Sequence, residues 1–276
     1  MLTLALSSWS FHRRLPYFGK GSWSPPHDGP EISILSLPEL SVELGITTVE
    51  ICQAHLASTD PEYLADVGAA VEDAGCRVVN MPIDVGNLAE PSAEKRSAEL
   101  AQILPWIDAA NALGSPAVRV NTGRSDGMNE GAALRIVAQG YARLAAYCAE
   151  RGMTVLLENH GGLSSTPEAI IELLALVDAA NFRLCPDFGN FAPELREEGL
   201  RAMLPHAAMV HAKMMDFDEA GTHPAFDLDR CLNLVVESRY SGPLSIEFEG
   251  RGDPYEAVKH GRDYIAARVP GLAAGD

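Results

Sequence analysis

The stretch Val155–Gly162 reads Val-Leu-Leu-Glu-Asn-His-Gly-Gly, and its pattern decides how the fold is interpreted. An apolar run ends in a carboxylate, an amide and an imidazole, and two glycines follow. A continuous apolar run is typical of a strand that is covered on both faces of a parallel sheet. Gly161 and Gly162 allow the backbone to turn sharply without a Cβ clash. We therefore interpret the stretch as a buried strand that presents Glu158 at its end.

Similar short apolar runs alternate with longer amphipathic runs along the whole chain. The predicted strands are Leu2–Ser7, Thr48–Cys52, Arg77–Met81, Ala117–Asn121, Thr154–Glu158, Arg183–Cys185, Met209–Ala212 and Leu244–Phe248. Apolar residues at helical spacing predict the helices between them. These helices are Pro61–Ala74, Ser92–Leu113, Glu130–Arg151, Pro167–Ala179, Pro193–Leu204, Phe226–Ser238 and Pro254–Arg268. Glycines such as Gly45 and Gly75 fit the left-handed residue that commonly ends a helix.

Eight strand-then-helix units in 276 residues predict an α/β fold, a (β/α)8 TIM barrel that forms a single domain over residues 1–276. A doubly wound open sheet is the alternative. No GxGxxG motif follows the first strand and the chain has no P-loop, so the nucleotide-binding versions of that sheet lose support.

The segment of residues 9–37 does not follow this rhythm, because it is rich in aromatic residues and proline. Loops of this length inside a compact domain are usually functional or disordered, and the aromatic residues argue against disorder. The segment follows the first strand. We therefore predict a loop over the C-terminal face of the barrel, as a lid or a pocket wall.

Composition excludes several classes of protein. The formal net charge of −17 disfavours nucleic acid as a partner. No apolar run is long enough to cross a bilayer, and the N-terminal residues lack the basic leader of a signal peptide. The five cysteines are scattered without a CxxC pair, which fits reduced thiols. We expect a cytoplasmic protein that associates with neither nucleic acid nor membrane.

Four strands in succession carry an acidic residue or a histidine at or near their carboxyl ends, namely Glu158, Asp187, His211 and Glu247. The carboxyl ends of barrel strands converge on one rim, so these side chains are expected to meet. Buried carboxylates lose hydration and repel one another, and a divalent cation removes both penalties. Oxygen ligands with one imidazole suit Mn²⁺, Mg²⁺, Co²⁺ or Zn²⁺ alike.

These residues carry a resemblance to a known family. The segments VLLENHGG, CPDFGNF, MVHAKMMDF and YSGPLSIEFEG, with VEI at 49–51 and VRVN at 118–121, resemble the sugar phosphate isomerase/epimerase family of xylose isomerase-like TIM barrels. The resemblance implies that Glu158, Asp187, His211 and Glu247 hold one divalent metal. It also implies that Glu158 and Glu247 are the catalytic acid/base pair.

The implied reaction belongs to carbohydrate metabolism: isomerisation or epimerisation of a sugar, keto-sugar or cyclitol by proton transfer through a metal-stabilised enediolate. The candidate substrate-binding residues are Arg119, Asn121, His160, Lys213 and Glu50. Lys213 follows His211 by two positions, so strand alternation sends both side chains to one side. Asn190 stands where some ketose epimerases of the family have a substrate-binding histidine.

Three alternatives remain at this stage. A lyase or dehydratase similar to the inosose dehydratases would use the same site. A DNA-repair endonuclease on this barrel would need more histidines and a basic surface. A binding barrel without catalysis would not need the four residues. We expect a small carbohydrate as the partner, and a homodimer or homotetramer is possible because many relatives form them.

Overall fold

The computed structural model describes residues 1–19, 25–125 and 127–273. Its barrel strands are β1 Leu2–Ser7, β2 Thr48–Glu50, β3 Arg77–Ile83, β4 Ala117–Val120, β5 Thr154–Glu158, β6 Phe182–Cys185, β7 Val210–Met214 and β8 Pro243–Phe248. Neighbouring strands pair in parallel in the order β6-β5-β4-β3-β2-β1-β8-β7. The predicted eight-stranded α/β barrel is confirmed.

The barrel closes between β6 and β7 through isolated bridges rather than a continuous ladder. Leu184 bridges Ala207, and Asp187 bridges His211. At the second bridge the His211 N–H donates to the carbonyl of Pro186 over 3.0 Å, and the His211 carbonyl accepts from Phe188 over 3.2 Å. Two candidate metal ligands therefore also join the last two strands of the ring.

In the described part of the chain, eight α-helices cover the outside of the barrel. They are α1 Leu37–Glu43, α2 Pro61–Asp73, α3 Ala93–Ala112, α4 Glu130–Ala149, α5 Pro167–Val177, α6 Arg196–Met203, α7 Leu228–Glu237 and α8 Pro254–Ala266. Helix α2 shows why they begin where they do. Asp60 accepts hydrogen bonds from the N–H groups of Glu62 and Tyr63, and Pro61 occupies the first turn. None of the helices in the described ranges is both long enough and apolar enough to span a bilayer.

The barrel interior changes from apolar to polar along its axis. Ala117, Leu156 and Met209 belong to a small buried cluster inside the barrel. Two positions later on the same strands stand Arg119, Glu158 and His211, and inward-facing residues recur at this spacing. The strands therefore fill the middle of the barrel with apolar side chains and place polar side chains at its carboxyl end.

Several predicted boundaries were wrong. Strand β2 ends at Glu50 instead of Cys52, because its register with β3 shifts there and a 3-10 turn, Gln53–His55, follows. Strand β7 continues to Met214, since its ladder with β8 extends past Ala212. A two-residue strand, Leu272–Ala273, pairs with β1 and was not predicted.

The aromatic segment is more regular than the predicted loop. Short 3-10 helices form at Ser8–Phe11 and Ile34–Ser36, and Leu37 already begins α1. Residues 20–24 of this segment, which include Trp23, lie outside the described residues. A role as a lid stays a prediction.

The α2 cap offers a test of local stability. Replacing Asp60 with Ala removes the acceptor for two N–H groups, and we expect the free energy of unfolding to fall by about 1 kcal/mol. Asp60→Asn retains a capping oxygen and is the matched control. Urea unfolding followed by circular dichroism measures both. Equal losses in the two variants would show that capping is not the cause.

Candidate metal centre and cavity

Glu158, Asp187, His211 and Glu247 meet at the carboxyl end of the barrel, as the strand order requires. Each offers one ligand atom, these atoms all lie within 4.8 Å of one another, and all four residues are buried. Glu158 is the last residue of β5, and Asp187 lies two residues beyond β6. His211 lies in β7 and Glu247 in β8. Four consecutive strands thus each contribute one group.

Asp187 is held so that one of its oxygens points into the cluster. Its Oδ1 accepts from the N–H groups of Gly189 and Asn190 over 2.7 and 2.9 Å. The Asn159 side chain accepts from the Asp187 N–H over 2.7 Å and donates to its carbonyl over 3.0 Å. Oδ2 is buried and, among the described residues, has no hydrogen-bond partner.

His211 lies between two carboxylates. Its Nδ1 is 3.0 Å from Glu158 Oε1, and its Nε2 is 2.9 Å from Glu50 Oε1. Burial alone would lower the pKa of His211, but the neighbouring acidic groups, Glu50 and Glu158 among them, hold it well above its usual range. These surroundings favour the protonated ring, in which each nitrogen faces a carboxylate.

Two further cationic groups neutralise part of the cluster. Arg119 Nε lies 3.0 Å from Glu158 Oε2 without the alignment of a hydrogen bond. Lys213 Nζ lies 3.2 Å from Glu247 Oε2 and 3.5 Å from Asp187 Oδ2. The same ammonium donates to Asn190 Oδ1 over 2.8 Å.

The carboxylates differ in how well they are compensated. Burial tends to raise the pKa of Glu158, but the charges of His211 and Arg119 outweigh it and lower that pKa well below its usual range. Burial raises the pKa of Asp187 to about 8, although Lys213 opposes the shift. Burial also raises the pKa of Glu247. The cationic side chains of the protein therefore compensate the negative charges of Asp187 and Glu247 only in part.

These residues fit a divalent cation. The donors are three carboxylates and one imidazole, a set that Mg²⁺, Mn²⁺, Co²⁺ and Zn²⁺ all accept. Asp187 Oδ2 is a buried acceptor without a hydrogen bond, which a cation would satisfy. The cluster could hold a metal ion, and its donor atoms do not select one.

A cavity of about 290 Å³ lies beside the cluster, near the lower limit for small-molecule sites. The residues that line it are Trp9, Tyr17, Cys52, Asp84, Arg119, Asn121, His160, Glu247 and Glu249. Three of the five candidate substrate-binding residues, Arg119, Asn121 and His160, are thus at the cavity. Two larger cavities lie on the outside of the barrel, away from these carboxylates.

The other two candidates occupy different places. Lys213 is buried among the carboxylates and Asn190, as described above. Glu50 is completely buried, and its contacts are Asn80, Ser245 and His211 rather than the cavity. The structure thus places Glu50 against His211 and outside the lining of the cavity.

The sequence analysis missed several cavity residues. Asp84 directly follows the apolar strand β3 and accepts from Arg119 and Asn121. Glu249 follows Glu247 by two positions and accepts from the Trp9 indole over 2.9 Å. Both stand at strand ends, so the pattern that identified Glu158 could also have found them.

Lys213 should compete with a divalent cation, because its ammonium contacts two of the ligand carboxylates. Unit charges about 4 Å apart interact by about 4 kcal/mol at an effective dielectric constant of about 20. We therefore expect Lys213→Met to bind Mn²⁺ at least about tenfold more tightly than the unaltered protein. Lys259→Met removes the same charge from an exposed site on α8 and is the control. Weaker binding by Lys213→Met, measured by electron paramagnetic resonance, would contradict this account.

Similar solved structures share the barrel across almost the whole chain. The 3-keto-D-glucoside 4-epimerase of E. coli, in its apo form, is 16% identical, with 96% of this chain and 98% of that chain covered and a TM-score of 0.72. A xylose isomerase-like protein from Mycobacterium smegmatis, in complex with magnesium, is 19% identical, with 96% and 95% covered and a TM-score of 0.68. The probable 3-DHS dehydratase of Bacillus anthracis is 17% identical, with 96% and 98% covered and a TM-score of 0.67. At these identities the likeness shows the fold.

Comparisons of sequence identify one partial relative and a matching family. A match to the C-glycoside deglycosidase alpha subunit of Arthrobacter globiformis is 39% identical over 64 residues, which is 21% of this chain and only 18% of that relative. The family model described as xylose isomerase-like TIM barrel matches residues 38–268. With the family pattern present over most of its length, the chain belongs to the xylose isomerase-like TIM barrel family.

Proposed function

We propose that the protein is a divalent-cation-dependent isomerase or epimerase that acts on a sugar, keto-sugar or cyclitol. The observation that carries the proposal is the pair Glu158 and Glu247, two carboxylates of one buried cluster beside a sugar-sized cavity. Structural neighbours that process sugars support an enzyme of this kind.

Glu158, Asp187, His211 and Glu247 would hold the cation. When bound, it supplies a Lewis acid that polarises the substrate carbonyl and acidifies the adjacent C–H group. The magnesium complex of one neighbour makes Mg²⁺ a reasonable first choice for reconstitution, with Mn²⁺, Co²⁺ and Zn²⁺ as alternatives.

The two glutamates perform the proton transfers. One removes the proton from the carbon next to the carbonyl, and the other returns a proton to the opposite face or to the next carbon. The charges of His211 and Arg119 keep Glu158 ionised. Glu247 lines the cavity directly, so its carboxylate can reach a substrate there. Lys213 contacts the same carboxylate.

The remaining cavity residues orient the substrate. Arg119, Asn121 and His160 present nitrogen donors to hydroxyl oxygens along one side of the cavity. Trp9 and Tyr17 form an aromatic wall that limits the access of water.

A dehydratase is the second candidate, because it would use the same two glutamates beside the cavity. One glutamate would remove the C–H proton, and the other would protonate the β-hydroxyl so that it leaves as water. The dehydratase among the structural neighbours is compatible with this outcome.

Proton NMR in D₂O distinguishes the two reactions. The Mg²⁺-loaded protein is incubated with ketoses, 3-keto sugars and inososes. An isomerase or epimerase incorporates deuterium next to the carbonyl and forms an isomer, whereas a dehydratase forms an unsaturated ketone. Complete absence of exchange and of product across the panel, with each cation, would count against both.

The two glutamates can be tested separately from cation binding. With saturating cation, we expect Glu158→Gln and Glu247→Gln each to lower kcat by about 10²-fold or more, because neither amide accepts a proton. Cation content is measured in parallel, since both residues are also ligands. Glu198→Gln, on the exposed face of α6, is the control. Full turnover by either cluster variant would remove that residue from the mechanism.

A further inference from the structure

We propose that Glu50 is a positioning residue that holds His211 with a proton on Nε2 and leaves Nδ1 as the nitrogen that binds the cation. The inference rests on the cation site of the proposed function. It gives Glu50 a role different from the substrate contact that its position at the end of β2 suggested. It also assigns one ring nitrogen of His211 to the cation.

The contacts of Glu50 are complete within the protein. Oε1 accepts from Asn80 over 2.7 Å and lies 2.9 Å from His211 Nε2. Oε2 accepts from the Ser245 hydroxyl over 2.8 Å. These donors come from β3, β7 and β8, so the carboxylate connects four strands of the barrel, β2 included. Glu50 is completely buried, and both of its oxygens already accept from Asn80 and Ser245, so it meets the imidazole as an acceptor.

The two sides of the His211 ring are not equivalent. Nδ1 faces Glu158, which belongs to the cluster of four ligand residues, whereas Nε2 faces Glu50, which does not. An ionised carboxylate only accepts hydrogen bonds. The bond to Glu50 therefore requires the proton to stay on Nε2. In the neutral ring the Nδ1 lone pair then faces the side of Glu158, one of the four residues of the cluster.

This arrangement also fixes the orientation of the ring. Turning the ring over would put the ring carbons Cδ2 and Cε1 where Nδ1 and Nε2 now face Glu158 and Glu50. Glu50 would keep Asn80 and Ser245 but lose its contact with the imidazole, so the present orientation is favoured. Histidine ligands to metals generally donate their second N–H to a carboxylate or a carbonyl, which raises their basicity. Glu50 is placed to do this for His211.

The unaltered protein allows the assignment to be measured without a substrate. Protein with ¹⁵N-labelled histidine is loaded with Zn²⁺, which is diamagnetic, and long-range ¹H–¹⁵N correlation spectra are recorded. The His211 signals are identified by their loss in His211→Gln. We expect Nδ1 to shift on Zn²⁺ binding while Nε2 retains its proton. A spectrum with Nε2 coordinated and Nδ1 protonated would overturn the inference.

Variants test whether Glu50 matters for affinity. We expect Glu50→Gln to weaken Mn²⁺ binding by about 10- to 100-fold, the range found when such supporting partners are lost, and Ser245→Ala by less than about threefold. Ser245→Ala is the matched control, because it removes a buried hydrogen bond of Glu50 and leaves His211 in place. Thermal unfolding of the cation-free proteins shows whether either variant is misfolded. Unchanged affinity in a folded Glu50→Gln protein would refute the role.

The outcomes separate this inference from the proposed function. Coordination of Zn²⁺ by Nε2 of His211 would refute only the role proposed for Glu50. Coordination by Nδ1, with neither deuterium exchange nor product in the D₂O experiment, would refute only the proposed reaction. A protein that binds neither Zn²⁺ nor Mn²⁺ refutes both, because each requires a cation at the four ligand residues.

Discussion

The structure depends on how negative charge is compensated inside the carboxyl end of the barrel. Six carboxylates gather there, those of Glu50, Asp84, Glu158, Asp187, Glu247 and Glu249, together with three cationic groups, those of Arg119, Lys213 and His211. Each buried charge loses several kcal/mol of hydration unless a partner restores it. The acidic groups outnumber the basic ones by three, and Asp187 Oδ2 is buried without a hydrogen bond. A divalent cation would offset most of this excess where it is greatest.

The same residues also close the barrel, so the fold and the site are not separable. Strands β6 and β7 meet at the bridge between Asp187 and His211 rather than along a ladder. Asn159 extends the pairing from β5, because its side chain binds both the N–H and the carbonyl of Asp187. A substitution that disturbs a ligand at this junction therefore disturbs the wall of the barrel as well. Loss of activity alone is for this reason weak evidence for a chemical role at Asp187 or His211.

Sequence reasoning succeeded where one local pattern repeats. An apolar run that ends in an acidic or imidazole residue identified the strands that carry Glu158 and Glu247, and convergence of strand ends explained their meeting. It was less informative where a side chain is held by contacts from distant strands. Glu50 was expected to contact a substrate, and the structure places it against Asn80, His211 and Ser245. Those partners lie on β3, β7 and β8, which residues near Glu50 in the sequence do not encode.

The contact between the aromatic segment and the carboxylates could not be predicted either, because it joins distant parts of the chain. The Trp9 indole donates to Glu249, which lies 3.3 Å from Lys213, and Lys213 in turn contacts Glu247. Imidazole rings stack on Trp9, with centroids 5.0 Å away for His12 and 5.7 Å for His55. The indole is therefore held firmly, and through Glu249 it restricts the Lys213 ammonium. The segment after β1 thus affects the candidate site in two ways: Trp9 binds the carboxylate of Glu249, and Trp9 and Tyr17 line the cavity.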